Sequence, residues 1–349
     1  MSGRFRFRPG HSRAFPCRDD PGALDAQRKS AAPIVVTRSI FMLLASNTVA
    51  EPTSFELVGA RGAPVIAVLG GISATRHVCS SESDERPGWW EPMVGPGRAL
   101  DLAHVQILGI DWLDGGRRND GRPARIVTTH DQAGAIVAIL DSLGILRVRA
   151  IVGSSYGGMV ALAFAERYPE RVEQLVVIAA AHETHPMMTA VRSIQRRIVE
   201  LGLETGHAHE ALSLARELAM TTYRSAREFA ERFSGGPVAL TDNNATFPVE
   251  QYLRHHGEKF ADAWRAERFV ALSLSGDLHR VDPDRIITPA VFVAAEGDTV
   301  VPREQIAALA ASVRGPAEVV DLPSDVGHDA FLTEHEAVAK IVAGALAYC

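Results

Sequence analysis

A serine with glycines two positions before and two positions after it is the strongest chemical signal in this 349-residue chain: Gly153-Ser154-Ser155-Tyr156-Gly157-Gly158. It follows a strand-like segment, Val148 to Val152, and precedes a helical stretch, Met159 to Arg167. That is the G-x-S-x-G pattern in the strand–turn–helix setting it requires. Such a turn strains the backbone of the serine, so only very small residues fit at the flanking positions. It also lifts the Ser155 hydroxyl to the positive end of the next helix, where a developing oxyanion is stabilised. The plainer alternative is a glycine-rich packing turn.

A serine hydroxyl alone is a weak nucleophile, so it needs a base and an acid that orients the base. Asp298 follows the apolar run Ala290 to Ala295 in Glu296-Gly297-Asp298-Thr299, the strand-end placement expected of the acid. Glu296 is the rival carboxylate but sits closer to the strand, and Asp298 could serve simply as a turn former. His328, in Val326-Gly327-His328-Asp329-Ala330-Phe331, is the candidate base; it is one of 13 histidines, and position singles it out. His77, His130 and His279 read as surface or packing residues. The oxyanion hole needs two backbone N–H donors. Tyr156 supplies the first, and Ile72 in Gly70-Gly71-Ile72-Ser73-Ala74 is the expected second.

These groups require strands that end together. Val65 to Leu69, Val105 to Ile110, Val148 to Val152, Leu175 to Ala180, Ala290 to Ala295 and Glu318 to Leu322 read as strands, and Val65 to Leu69, Leu175 to Ala180 and Ala290 to Ala295 are the unbroken apolar runs of strands buried on both faces. Helical periodicity covers Asp131 to Leu143 and Met159 to Arg167. Strand–helix alternation predicts a mostly parallel sheet with right-handed crossovers. The chain order Ser, Asp, His then selects the α/β-hydrolase fold. Between about 185 and 282 the rhythm breaks into helical segments, Thr189 to Gly202, Ala208 to Phe233 and Pro248 to Trp264, with no strand. This stretch reads as a helical lid over the carboxyl ends of the strands, where open α/β sheets bind ligands.

The chain is 46% hydrophobic with net charge −6, ample for one large core. Scattered basic residues argue against a nucleic-acid surface. Residues 1–50 read as a disordered or misassigned leader, and 51–349 as the catalytic domain. The apolar run Ile40 to Ala45 is too short to span a bilayer, which takes about 20 residues, and the polar stretch before it is too long for a secretory leader. Cys17, Cys79 and Cys349 have no metal-ligand spacing and fit a reducing, cytoplasmic setting.

Several further motifs carry a resemblance: Gly88-Trp89-Trp90 with Met93-Val94-Gly95-Pro96-Gly97, Gly157-Gly158-Met159, Ala215-Arg216, Thr222-Tyr223-Arg224-Ser225, Val249-Glu250-Gln251-Tyr252-Leu253, His256-Gly257-Glu258-Lys259-Phe260 and Gly327-His328-Asp329-Ala330-Phe331. Spread from about Gly70 to the C-terminus, they resemble the homoserine O-acyltransferases of the α/β-hydrolase superfamily. The resemblance implies a ping-pong reaction of methionine biosynthesis. Ser155 would take an acyl group from acyl-CoA, acetyl favoured over succinyl, and pass it to L-homoserine, with L-serine as a lesser acceptor. Arg216 would pair with the acceptor carboxylate, Asp329 with its ammonium, and Tyr223 would line the pocket. A helix-surface ion pair, a helix cap and core packing are the respective structural alternatives. No metal or bound cofactor is implied; CoA is a co-substrate, and a homodimer built through the helical insertion is expected.

Three departures stand out. Tyr156 replaces the family's more common methionine, the region between Arg197 and Ala215 is short, and the segment before Gly70 looks short of the opening hairpin. Two other functions fit the triad: an esterase, in which water replaces the acceptor, and a non-catalytic binding scaffold.

Overall fold

The computed structural model describes residues 33–43 and 50–347. The chain opens with strands β1 (Pro33–Leu43) and β2 (Ala50–Ala60), then β3 (Val65–Leu69), β4 (Gln106–Ile110), helix α1 (Thr129–Ser142), β5 (Ala150–Ser154), α2 (Tyr156–Arg167) and β6 (Leu175–Ile178). The insertion follows as α3 (Pro186–Thr205), α4 (Ala208–Tyr223), α5 (Ala226–Arg232), the short pair β7 (Ala239–Leu240) and β8 (Ala245–Thr246), α6 (Pro248–Ala263) and α7 (Ala266–Asp277). The chain then returns to the sheet through β9 (Ala290–Ala295), α8 (Arg303–Ser312), β10 (Ala317–Leu322), α9 (Ala330–Thr333) and α10 (His335–Ala347).

Eight strands form one sheet in the order β1-β2-β4-β3-β5-β6-β9-β10. The six from β4 to β10 are parallel, while β2 runs antiparallel to both β1 and β4. Alternate strand residues feed opposite cores. Ala67 and Leu69 pack with Ile136, Phe164 and Phe292 on one face, Ile66 and Val68 with Trp90, Phe331 and Val338 on the other. Burial on both faces explains why these strands read as unbroken apolar runs rather than alternating ones. Strand order reverses between β3 and β5, so the loops after these two strands open a crevice at the switch point. Gly70-Gly71 and Ser155 lie in those two loops.

Four expectations change. The opening hairpin is present: β1 pairs with β2 over its whole length, from Pro33 with Ala60 to Leu43 with Ala50. Part of the stretch read as leader is therefore sheet, and the other residues of that stretch below 50 lie outside the described ones. The strand is rich in apolar and β-branched residues, and Val35 and Val36 pack against the two cores. The insertion also holds one small strand pair, β7 with β8. Finally, the single helix expected from Ala208 to Phe233 is two helices, broken at Arg224-Ser225. Ser225 caps α5 by accepting from the Glu228 N–H at 3.0 Å and spends its own N–H on Val326 O at 2.7 Å. Among the described residues no helix is long and apolar enough to cross a membrane.

Candidate active site

Ser155 stands at the tip of the β5–α2 turn with φ 51° and ψ −119°. A non-glycine residue there costs on the order of 1–3 kcal/mol and persists only where surroundings dictate it. The surroundings do: the Ser155 N–H donates to Ile178 O at 2.8 Å, and the Gly157 N–H to Gly70 O at 2.9 Å. The flanking glycines are steric necessities. A Cβ at Gly153 would lie 2.4 Å from Gly157 O, and one at Gly157 would lie 2.2 Å from Leu69 O. Backbone oxygens cannot retreat as a side chain can. Gly157→Ala is expected to destabilise the fold by about 3 kcal/mol, the upper range for overpacking, read as a lower denaturation midpoint.

The Ser155 Oγ lies 2.8 Å from His328 Nε2, and His328 Nδ1 lies 2.8 Å from Asp298 Oδ2. Asp298 Oδ1 accepts the N–H groups of Val300 at 2.8 Å and Val301 at 3.0 Å. A carboxylate so placed can only accept from the ring, so Nδ1 carries the proton and Nε2 is the acceptor for the serine hydroxyl. Burial pushes the His328 pKa down, but the charge and hydrogen bond of Asp298, with Asp329 adding, more than offset it, and the net shift is upward. The imidazole is thus a stronger base than a free one, at the expense of being protonated at mildly acidic pH. The three side chains are brought together as the chain order implies. Glu296, the rival carboxylate, is exposed, while Asp298 takes the His328 ring.

The loop carrying His328 is clamped from three sides. Ser225 takes Val326 O, and its hydroxyl donates to Asp325 O. Gly327, at φ 92°, passes so close to Gly297 that a Cβ would sit 3.2 Å from Gly297 O. Trp90, fully buried and stacked on Trp89, donates from Nε1 to Phe331 O at 3.0 Å. The Gly88-Trp89-Trp90 motif therefore supports the base from behind. Gly88 is forced as well, since a Cβ there would meet the Val78 carbonyl carbon at 2.1 Å.

For the oxyanion, neither the Tyr156 N–H nor the Ile72 N–H donates to a protein acceptor among the described residues. Gly71 lies against the nucleophile: a Cβ built on it would be 3.9 Å from Ser155 Cβ. The Gly71 carbonyl is turned to Trp112, whose Nε1 donates to it at 3.2 Å.

The other three expected residues line one side of His328. The Tyr223 ring is 5.8 Å from the imidazole. The Arg216 guanidinium stacks over Tyr223 at 5.3 Å and over Phe260 at 4.8 Å. Among the described residues it forms no ion pair. Asp329 makes no side-chain cap to α9. Its carboxylate meets Arg224 Nε at 3.3 Å, out of line for a hydrogen bond. Burial is the main influence on Asp329 and raises its pKa against the opposing pull of His328, Arg224 and Arg216.

Residues 64–335 match the model of the alpha/beta hydrolase fold family. The chain is 42% identical to the homoserine O-succinyltransferase of Xanthomonas campestris pv. campestris over 84% of its own length and 78% of that protein. It is 31% identical to the serine O-succinyltransferase of Litchfieldella anticariensis, over 87% and 94% respectively. The chain belongs to the homoserine O-acyltransferase family. The crystal structure of homoserine O-acetyltransferase from Bacillus anthracis shares its fold, with a TM-score of 0.79 at 17% identity, covering 90% of this chain and 98% of that one.

As an acyltransferase of this family, the chain holds parts its motifs did not announce. Trp112 and Gln132 frame the loop after β3. Gln132 accepts from the Leu113 N–H at 3.0 Å and donates to Leu113 O at 2.9 Å, and its Nε2 lies 3.3 Å from the Tyr156 hydroxyl. That hydroxyl also meets Ser275 Oγ of α7 at 2.7 Å, so the tyrosine that departs from the family ties the elbow to the insertion. One cluster, Glu56, His77 and Asp84, has metal-ligand proximity. Both His77 ring nitrogens already face acceptors, Glu56 Oε2 at 3.0 Å and Arg86 O at 2.7 Å, which leaves no lone pair for a metal.

Proposed function

We propose that this acyltransferase moves an acyl group from acyl-CoA to the side-chain hydroxyl of L-homoserine, with Ser155 carrying the group between them. The hydrogen-bonded Ser155–His328–Asp298 relay is the observation that carries the reading. His328 Nε2 takes the Ser155 proton as Oγ attacks the thioester carbonyl. The N–H groups of Tyr156 and Ile72 receive the oxyanion. Collapse expels the CoA thiolate, which takes the proton from the imidazolium. In the second half His328 deprotonates the acceptor hydroxyl, which attacks the acyl-serine and releases the O-acyl amino acid and free Ser155.

An amino-acid acceptor presents one charge of each sign. Arg216, stacked in place and without an ion-pair partner among the described residues, suits the carboxylate. Asp329, whose contact with Arg224 at 3.3 Å is out of line for a hydrogen bond, suits the ammonium. A hydroxyl held this way outcompetes water through proximity. The product fits methionine biosynthesis in the cytoplasm, where CoA thioesters are available. A homodimer through the insertion fits the exposed Met187, Ile194 and Leu201, spaced seven apart on α3.

The test is CoA release from acetyl-CoA and from succinyl-CoA, each with homoserine, with serine and with water alone. Release should depend on acceptor, be fastest with homoserine, and favour one donor. Release at the same rate without acceptor would make the chain a hydrolase. Arg216→Met should raise KM for homoserine by roughly 30-fold, since a charged hydrogen bond contributes about 2 kcal/mol, while leaving the burst of CoA release largely intact.

A further inference from the structure

We infer that Trp112 is a positioning residue for the oxyanion hole, acting through the peptide bond between Gly71 and Ile72. The inference rests on the proposed role of the Ile72 N–H. No peptide bond among the described residues is cis, so the Gly71 carbonyl and the Ile72 N–H point in opposite directions across one planar unit. Whatever fixes one fixes the other. The Trp112 indole N–H holds that carbonyl at 3.2 Å, on the side away from where the amide must aim.

A glycine at 71 gives an anchor from outside the loop its purpose. Gly71 has no side chain to resist rotation, and a Cβ there would touch only Phe331 at 3.7 Å and Ser155 at 3.9 Å. Within the turn, only the Ala74 N–H, donating to Gly71 O at 3.0 Å, opposes a flip that would aim a carbonyl at the developing negative charge. Trp112 itself cannot move. It is 3% exposed and packs edge-on against the Tyr156 ring with centroids 5.0 Å apart. Its neighbour Leu113 is gripped through both backbone groups by Gln132, and Arg268 Nη1 donates to Trp112 O at 3.2 Å. The same tyrosine whose N–H forms the other half of the hole thus braces the tryptophan that aims the first half. Both donors are referred to one rigid cluster.

The oxyanion exists only during reaction, so misaiming the amide costs turnover rather than substrate binding. Trp112→Phe keeps an aromatic ring against Tyr156 and removes the N–H. With active sites counted by stoichiometric labelling with a fluorophosphonate, kcat per labelled site should fall at least roughly 10-fold, a fraction of the 10²–10³ lost with a whole oxyanion donor. KM for acyl-CoA should stay within about 3-fold, and binding of a boronic acid, which forms an anionic adduct on serine, should weaken in step with kcat. Unchanged kcat per labelled site would overturn the inference, as would a fall matched by an equal rise in KM. If Trp112→Phe does not fold, Trp112→Met replaces it and is read in the same way. Ile72→Pro, which deletes the N–H itself, separates the two claims. A fully active Ile72→Pro enzyme removes the oxyanion assignment, whereas an impaired Ile72→Pro beside an unimpaired Trp112 variant removes only the inference.

Discussion

Ser155→Ala is expected to lower kcat for acyl transfer by about 10⁴–10⁶-fold, the loss seen when a triad nucleophile is deleted, while leaving the fold intact. The variant keeps a Cβ at the strained φ of 51°, so the elbow meets the same contacts. It gives up one hydrogen bond, that to His328, worth about 1 kcal/mol net. Denaturation midpoints should therefore barely move. Burst release of CoA should disappear altogether, because no atom remains to hold the acyl group. A variant that kept a stoichiometric burst would show that the acyl group rides on another residue, and the ping-pong scheme would fail. Residual turnover without a burst would instead mean direct attack by the acceptor within the intact oxyanion hole.

The reactive centre was legible because its chemistry constrains short stretches of sequence. Gly153 and Gly157 are demanded by contacts of 2.4 and 2.2 Å, so the elbow cannot be built from other residues. Asp298 and His328 could be found because the fold fixes their order and puts each just after a strand. Long apolar strands were equally plain, since both faces are buried. What escaped notice is what long-range pairing decides. Strand β1 has the apolar and β-branched residues of a strand, but its partner β2 is set by a pairing that no local pattern names. The break at Arg224-Ser225 arises because Val326 and Asp325, a hundred residues away, recruit Ser225. The local mark of the break is Ser225-Ala226-Arg227-Glu228, a helix-start pattern in which the Ser225 hydroxyl accepts from the Glu228 N–H. Trp112 and Gln132 act through backbone groups of Gly71 and Leu113, and such contacts tolerate many sequences around them.

Asp298→Asn should cost about 10⁴-fold in kcat, as expected when the base is trapped in the wrong tautomer, and the reasoning is geometric. The amide oxygen will keep the position that accepts from Val300 and Val301, because those two N–H groups at 2.8 and 3.0 Å have no other use. The amide NH₂ is then left facing His328 Nδ1, where the carboxylate accepted at 2.8 Å. A donor facing Nδ1 drives the ring proton to Nε2, so the ring presents an N–H to Ser155 and can no longer take its proton. The pH profile reports the second loss. In the native protein the raised His328 pKa sets the acid limb of kcat/KM above the ordinary imidazole range, with activity falling as pH drops through it, because only the neutral ring is a base. Burial lowers that pKa and Asp298 is the chief group raising it. With the charge removed, the limb should move to lower pH while the plateau collapses. A limb that stayed in place would mean that another carboxylate, Asp329 foremost, sets the basicity of His328.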